Sequence, residues 1–84
     1  MCIDAHGVFV AAVKPAWRGP GVIVRLEAPA ARPGHPISVR LRPGFPVRCA
    51  SLCDARERDL APLPLDGPEL TIIVEKAITS VRLV

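Results

Sequence analysis

The chain has 84 residues and a mass of 9.0 kDa; it is one domain at most, whether whole or a piece of something larger, and too short for a typical enzyme. Half of its residues are apolar and 23% are charged, which excludes a disordered tail and requires folding around a core. The formal charge is +3, from 11 basic residues against 8 acidic ones, and only Phe9, Trp17 and Phe45 are aromatic, a combination that speaks against a nucleic-acid module.

Ten prolines and six glycines are too many for long helices and suit short strands joined by turns. Residues 1–6 are expected as a loose N-terminus. Residues 6–13, rich in β-branched side chains, read as a strand that stops at Lys14-Pro15, where the proline has no donor for a ladder bond. A turn follows at Trp17-Arg18-Gly19-Pro20-Gly21. Residues 21–28 then alternate, with Val22, Val24 and Leu26 facing inward and Arg25 and Glu27 outward. After a second turn at Arg32-Pro33-Gly34-His35-Pro36, residues 37–42 repeat the pattern, with Ser38, Arg40 and Arg42 on the outer side. Pro43-Gly44-Phe45-Pro46 reads as a turn in which Gly44 is free to take positive φ. Residues 47–53 form the next expected strand, and the charged run 54–59 reads as strand or loop. A turn is expected over residues 62–68. Strands over 70–75 and 78–84 follow, with Leu70, Ile72, Val74, Thr79, Val81 and Leu83 as their inner faces. The sum is an all-β fold, a small antiparallel β-sandwich of about six to seven short strands filling residues 1–84 as a single module.

Few residues carry chemistry. Gly19-Pro20-Gly21 opens a strand where a phosphate loop opens a helix, so it reads as a turn. No serine or threonine lies in a nucleophile elbow or beside a histidine. Glu27, Asp54, Glu57, Asp59 and Glu75 fall on outer faces or in loops and read mostly as solvated charge. Cys2, Asp4 and His6 alternate at the N-terminus, and Cys49, Cys53 and His35 would complete a zinc-like ligand set. On an extended chain, however, ligands two residues apart are separated by about 7 Å, and Cys49 and Cys53 by about 13 Å. No metal site is therefore expected; Cys49 reads as a small buried hydrophobe, and Cys2 and His6 as parts of the loose terminus. Arg25, Arg40, Arg42 and Arg48 are expected along the exposed side of one sheet, as a solvated face rather than a phosphate-binding one. Trp17 offers a flat platform for a sugar or partner, but its expected place is folded over the end of the core.

Val13-Lys14-Pro15-Ala16, followed by Gly21-Val22-Ile23-Val24-Arg25-Leu26-Glu27-Ala28-Pro29, resembles a segment of glycoside hydrolase family 38 α-mannosidases in which a lysine-proline loop leads into an arginine-bearing strand. The stretch from Ala50 to Leu60, with Glu57-Arg58 ahead of Leu60, is similar to that family's leucine-rich turn, and Ala77-Ile78-Thr79-Ser80-Val81-Arg82-Leu83 is similar to its final strand. Order and spacing agree over about residues 8–84. The resemblance implies the C-terminal β-sandwich of such an enzyme, whose catalytic residues and zinc ligands lie in an N-terminal domain. No catalytic residue, metal ligand or cofactor is therefore carried over to this chain; the zinc belongs to the family's catalytic part.

The implied role is to support a catalytic domain that hydrolyses α-mannosides, with Trp17, Arg18 and Arg56 as candidate carbohydrate or partner contacts. The run Arg56-Glu57-Arg58 is expected to make a structural ion pair. The implied partners are the catalytic part of an α-mannosidase, or a second copy through exposed sheet edges; carbohydrate is a further candidate, and neither nucleic acid nor membrane is expected. The alternatives are a free-standing carbohydrate- or protein-binding module and, less favoured, a small basic nucleic-acid-binding barrel. The three cysteines cannot all pair within the chain, and no asparagine is present for a glycosylation sequon. No apolar run reaches the roughly 20 residues that span a bilayer, and no basic segment leads into a hydrophobic stretch at the N-terminus. A cytoplasmic location is expected.

Overall fold

The computed structural model describes residues 1–84. It contains nine strands and no helix: β1 (Cys2–Asp4), β2 (Phe9–Pro15), β3 (Val22–Glu27), β4 (Ile37–Arg42), β5 (Ala50–Cys53), β6 (Asp59–Leu63), β7 (Leu65–Asp66), β8 (Glu69–Val74) and β9 (Ile78–Leu83). They form two antiparallel sheets, one in the order β1-β4-β8-β7 and the other in the order β2-β3-β9-β5-β6. The fold is an all-β sandwich, as the alternating pattern predicts, with nine strands where six to seven were expected.

The inner faces are those the alternation predicts. Val24, Leu26, Val81 and Leu83 of the five-stranded sheet and Val39, Leu41, Leu70, Ile72 and Val74 of the four-stranded sheet are buried in one cluster between the layers. Strands two residues out of phase with this pattern would turn the same side chains inward, but a one-residue slip would expose them all, so burial fixes the register. Truncating one of them, Leu26 or Leu41, to alanine costs about 2–5 kcal/mol.

The additional strands lie where turn-forming residues and a terminus hide them. Cys2–Asp4, expected as part of a loose terminus, pairs with Arg40–Arg42 as β1. Residues 62–68, expected as one turn, instead complete β6, form β7 and turn back at Gly67-Pro68, with Gly67 at φ 60°. Pro62 is tolerated because β6 ends its sheet and a proline there removes no bond from a second neighbour. The strand expected over 47–53 is shorter, β5 alone; Arg48 and Cys49 are tied instead through their amides to the Val84 carbonyl. Cys49 is exposed and Cys53 is the buried cysteine, the reverse of the expected placement for Cys49. The arginines expected along one face are divided: Arg25 is on β3 of the five-stranded sheet, Arg40 and Arg42 are on β4 of the other, and Arg48 is in a loop. Arg42 pairs with Glu69, Nη2 to Oε2 at 2.7 Å.

Candidate functional site

The outer face of the five-stranded sheet carries polar side chains in two rows fixed by register. Lys14, Ile23, Arg82 and Ser51 face one another across β2, β3, β9 and β5, while Ala12, Arg25, Ser80, Cys53 and Asp59 form the adjoining row out to β6. Two loops fold over this face: residues 16–21 between β2 and β3, and residues 54–58 between β5 and β6.

Arg82 lies beneath both loops. Its side chain is 6% exposed, and its guanidinium donates from Nε to Asp59 Oδ1 at 3.0 Å, from Nη1 to the Pro20 carbonyl at 2.7 Å and from Nη2 to the Glu57 carbonyl at 2.6 Å. The guanidinium spreads its donors over three nitrogens in a fixed plane and so reaches acceptors on three segments, whereas a lysine's three donors share one nitrogen. The first loop passes so close that a Cβ on Gly19 would sit 3.2 Å from Arg82 Nη1, and one on Gly21 only 2.1 Å from the Leu83 carbonyl oxygen. Glycine is required at Gly21 for that approach and for its φ of 86°.

The second loop is shaped by its own acids. The Asp54 carboxylate accepts the Arg56 and Arg58 amides at 2.8 and 3.0 Å and the Arg58 Nε at 2.8 Å. Hydrogen bonds to the ionised form, the Arg58 amide foremost, hold its pKa below the usual carboxylate value. The turn ends at Glu57, the one non-glycine residue at positive φ, 62°, a conformation that disfavours a side chain with a Cβ. Glu57 keeps it because that backbone aims the carboxylate at the other loop. Oε1 accepts the Trp17 and Arg18 amides at 2.5 and 3.0 Å, and Oε2 pairs with the Lys14 ammonium. The hydrogen bond from Lys14, followed by that from the Arg18 amide, pulls the Glu57 pKa from 4.5 down to about 2. Arg82 likewise lowers Asp59. Beneath Asp59 the Cys53 thiol, which donates to Asp59 Oδ1 at 3.3 Å, is pushed up to about 11, chiefly by burial and then by the carboxylate. That shift and its burial disfavour the thiolate that a nucleophilic cysteine requires.

The clamped loops frame a concave surface of about 470 Å³ in which Lys14, Trp17, Arg18, Arg25, Arg56 and Glu57 meet above Ile23 and Ser80. Trp17, Arg18 and Arg56, the three candidate contact residues, therefore converge from two separate loops. Trp17 is 88% exposed, so it does not fold over the core; its amide is fastened to Glu57 and its indole stands in solvent. A second hollow of about 380 Å³ continues from Arg25, Asp54 and Ser80 towards Lys76 and Ile78. The run Arg56-Glu57-Arg58 makes structural ion pairs as expected, Glu57 to Lys14 and Arg58 to Asp54, while Arg56 makes none. Sequence reading missed Arg82, whose position on an outward strand face looks like that of a solvated residue, and gave no sign of the bonds from the Trp17 and Arg18 amides to Glu57. No group of three or more His, Cys, Asp or Glu side chains is arranged to hold a metal ion.

Comparison with known protein families, curated proteins and solved structures finds no match to this chain.

Proposed function

We propose that the chain is a non-catalytic accessory β-sandwich of the glycoside hydrolase family 38 kind, which supports a catalytic part acting on α-mannosides and contacts carbohydrate through the Trp17 groove. The observation that carries this reading is the convergence of Trp17, Arg18 and Arg56 on one concave surface, with the indole 88% exposed on a loop pinned by its backbone. A solvent-facing indole on a loop pinned by its backbone gives a sugar ring a flat apolar surface, and neighbouring guanidinium groups donate to hydroxyls.

Two further features support the reading. The segments that resemble the family cover β3, β5 and β9 of the five-stranded sheet, with the end of β2 and the start of β6, and the polar residues among them, Lys14, Glu57 and Arg82, bind its loops together. Glycoside hydrolysis needs a pair of carboxyl groups free to act on the bond; here both groove carboxylates, Asp54 and Glu57, are held ionised by structural partners. The β2 edge, which exposes Phe9, Val10 and Val13, is the surface by which the module packs against a larger body.

The test is a titration of mannose and short α-mannosides followed by Trp17 fluorescence, on the native chain and on Trp17→Ala monitored calorimetrically. Saturable binding to the native chain that is lost in the variant supports the carbohydrate role. Undiminished binding by Trp17→Ala, or no binding to the folded native chain, overturns it.

A further inference from the structure

We propose that the Trp17 groove is selective for a saccharide carrying a negative charge, a carboxylate or a phosphate, an inference that rests on the reading of the groove as a sugar-binding surface. The argument comes from where the charge is spent. The two joined hollows are lined by five basic side chains, Lys14, Arg18, Arg25, Arg56 and Lys76, and by two acidic ones, Asp54 and Glu57. The groove thus holds an excess of three positive charges, equal to the formal net charge of the whole chain, and the rest of the molecule is balanced.

Both acids are already neutralised. Asp54 is bound by Arg58 and two amides, and Glu57 by Lys14 and two amides. The four ion pairs of the molecule leave Arg18, Arg25, Arg56 and Lys76 without an acidic partner. Glu27, two residues beyond Arg25 on the same strand face, is outside the lining and makes no ion pair with it. Arg25 is half-buried in the middle of the sheet, beside Ser80, where a partly desolvated guanidinium gains most from an anion and presents a two-pronged donor to a carboxylate or phosphate. Arg56, on the turn that Asp54 caps, lines the same hollow. The Trp17 indole supplies the ring-stacking surface that an anion alone would not use.

The experiment compares mannose, mannuronate, mannose 6-phosphate and inorganic phosphate, using amide and arginine side-chain NMR shifts together with Trp17 fluorescence. Both anionic sugars are expected to bind about tenfold or more tighter than mannose, the yield of one charge-assisted contact at a partly exposed site. Raised salt reduces the difference. Arg56→Gln, at an exposed side chain without a protein partner, removes much of the preference while its spectrum stays folded, and Arg25→Gln removes most of it. Mannuronate and mannose 6-phosphate separate the two sources of charge, and preference for either one supports the proposal. Equal affinity for mannose and both anionic sugars overturns the charge selectivity and leaves the sugar-binding reading intact. Inorganic phosphate binding as tightly as mannose 6-phosphate, with Trp17 unmoved, overturns the saccharide part. Absence of binding by every probe refutes both readings.

Discussion

Replacing Arg82 with methionine tests whether the two loops over the five-stranded sheet are held by one guanidinium. Methionine keeps the apolar stem and much of the volume, so packing changes little and the hydrogen bonds are the main loss. Three bonds from a charged donor disappear, to Asp59, Pro20 and Glu57, each worth about 1.5–3 kcal/mol when deleted singly, but removing the cation with them also removes the cost of burying it. That cost is several kcal/mol for a side chain this well covered, and Asp59, 57% exposed, can be rehydrated once its partner is gone. The net loss is about 3 kcal/mol. For a chain of this size each kcal/mol corresponds to about 4–8 °C in melting temperature, so Arg82→Met melts about 15 °C lower. Arg82→Lys, with charge but no fork, falls between the two. Urea denaturation gives the free energy, and amide exchange shows whether residues 16–21 and 54–58 lose protection together. A melting temperature within about 3 °C of the native chain would refute the clamp, because buried ion pairs that merely break even against an apolar side chain behave in that way.

Acid should weaken the same assembly. Glu57 has a pKa lowered from 4.5 to about 2 in the folded chain, and Asp54 and Asp59 are lowered from 3.8; such groups stabilise fully above their unfolded values, and the contribution fades as pH falls from about 4.5 towards 2. Urea midpoints at pH 7, 3.5 and 2 are expected to decline in that order, and a Glu57 carboxyl resonance titrating near 4.5 contradicts the reading. Alkylation at pH 8 should label Cys2 and Cys49, which are exposed, and spare Cys53, buried with its pKa pushed up to about 11; mass spectrometry of the native chain showing three rapid additions contradicts that. Gly21→Ala drives a Cβ to 2.1 Å from the Leu83 carbonyl, whereas Gly34→Ala, at a similar φ, meets nothing within 4 Å. The first variant should be strongly destabilised or unfolded and the second should lose only about 1–2 kcal/mol of backbone preference; comparable melting temperatures would contradict the packing of the first loop onto β9.

Where one face is buried and the other wet, the sequence states its own geometry. Val39 and Leu41, then Leu70, Ile72 and Val74, alternate in burial without a break and lie in the core, as do Val24 and Leu26, although buried Ile23 on the outer face interrupts the pattern in β3. Alternation fails where the ladder slips. Ala11 is an extra residue in β2, so Val10 pairs with Leu26 and Ala12 with Arg25, and no period of two survives across it. It also fails at edges: β1, β6 and β7 are short, and prolines acceptable on an edge read as turns in a linear scan. The groove was legible only in part. An exposed tryptophan and two loop arginines draw attention by residue type, but nothing local announces that Glu57 and Trp17, 40 residues apart, share a hydrogen bond. Arg82 is equally hidden, because its burial comes from two loops closing above the sheet rather than from the face on which its strand places it.

The measurement that bears most directly on the proposed function is a map of amide shifts over the whole chain during titration with a short α-mannoside. The account predicts saturable shifts confined to residues 14–18, Arg25 and residues 54–57, together with the Trp17 indole, and little change on the four-stranded sheet. Shifts centred elsewhere, or a folded spectrum that does not move at saturating sugar, would contradict it.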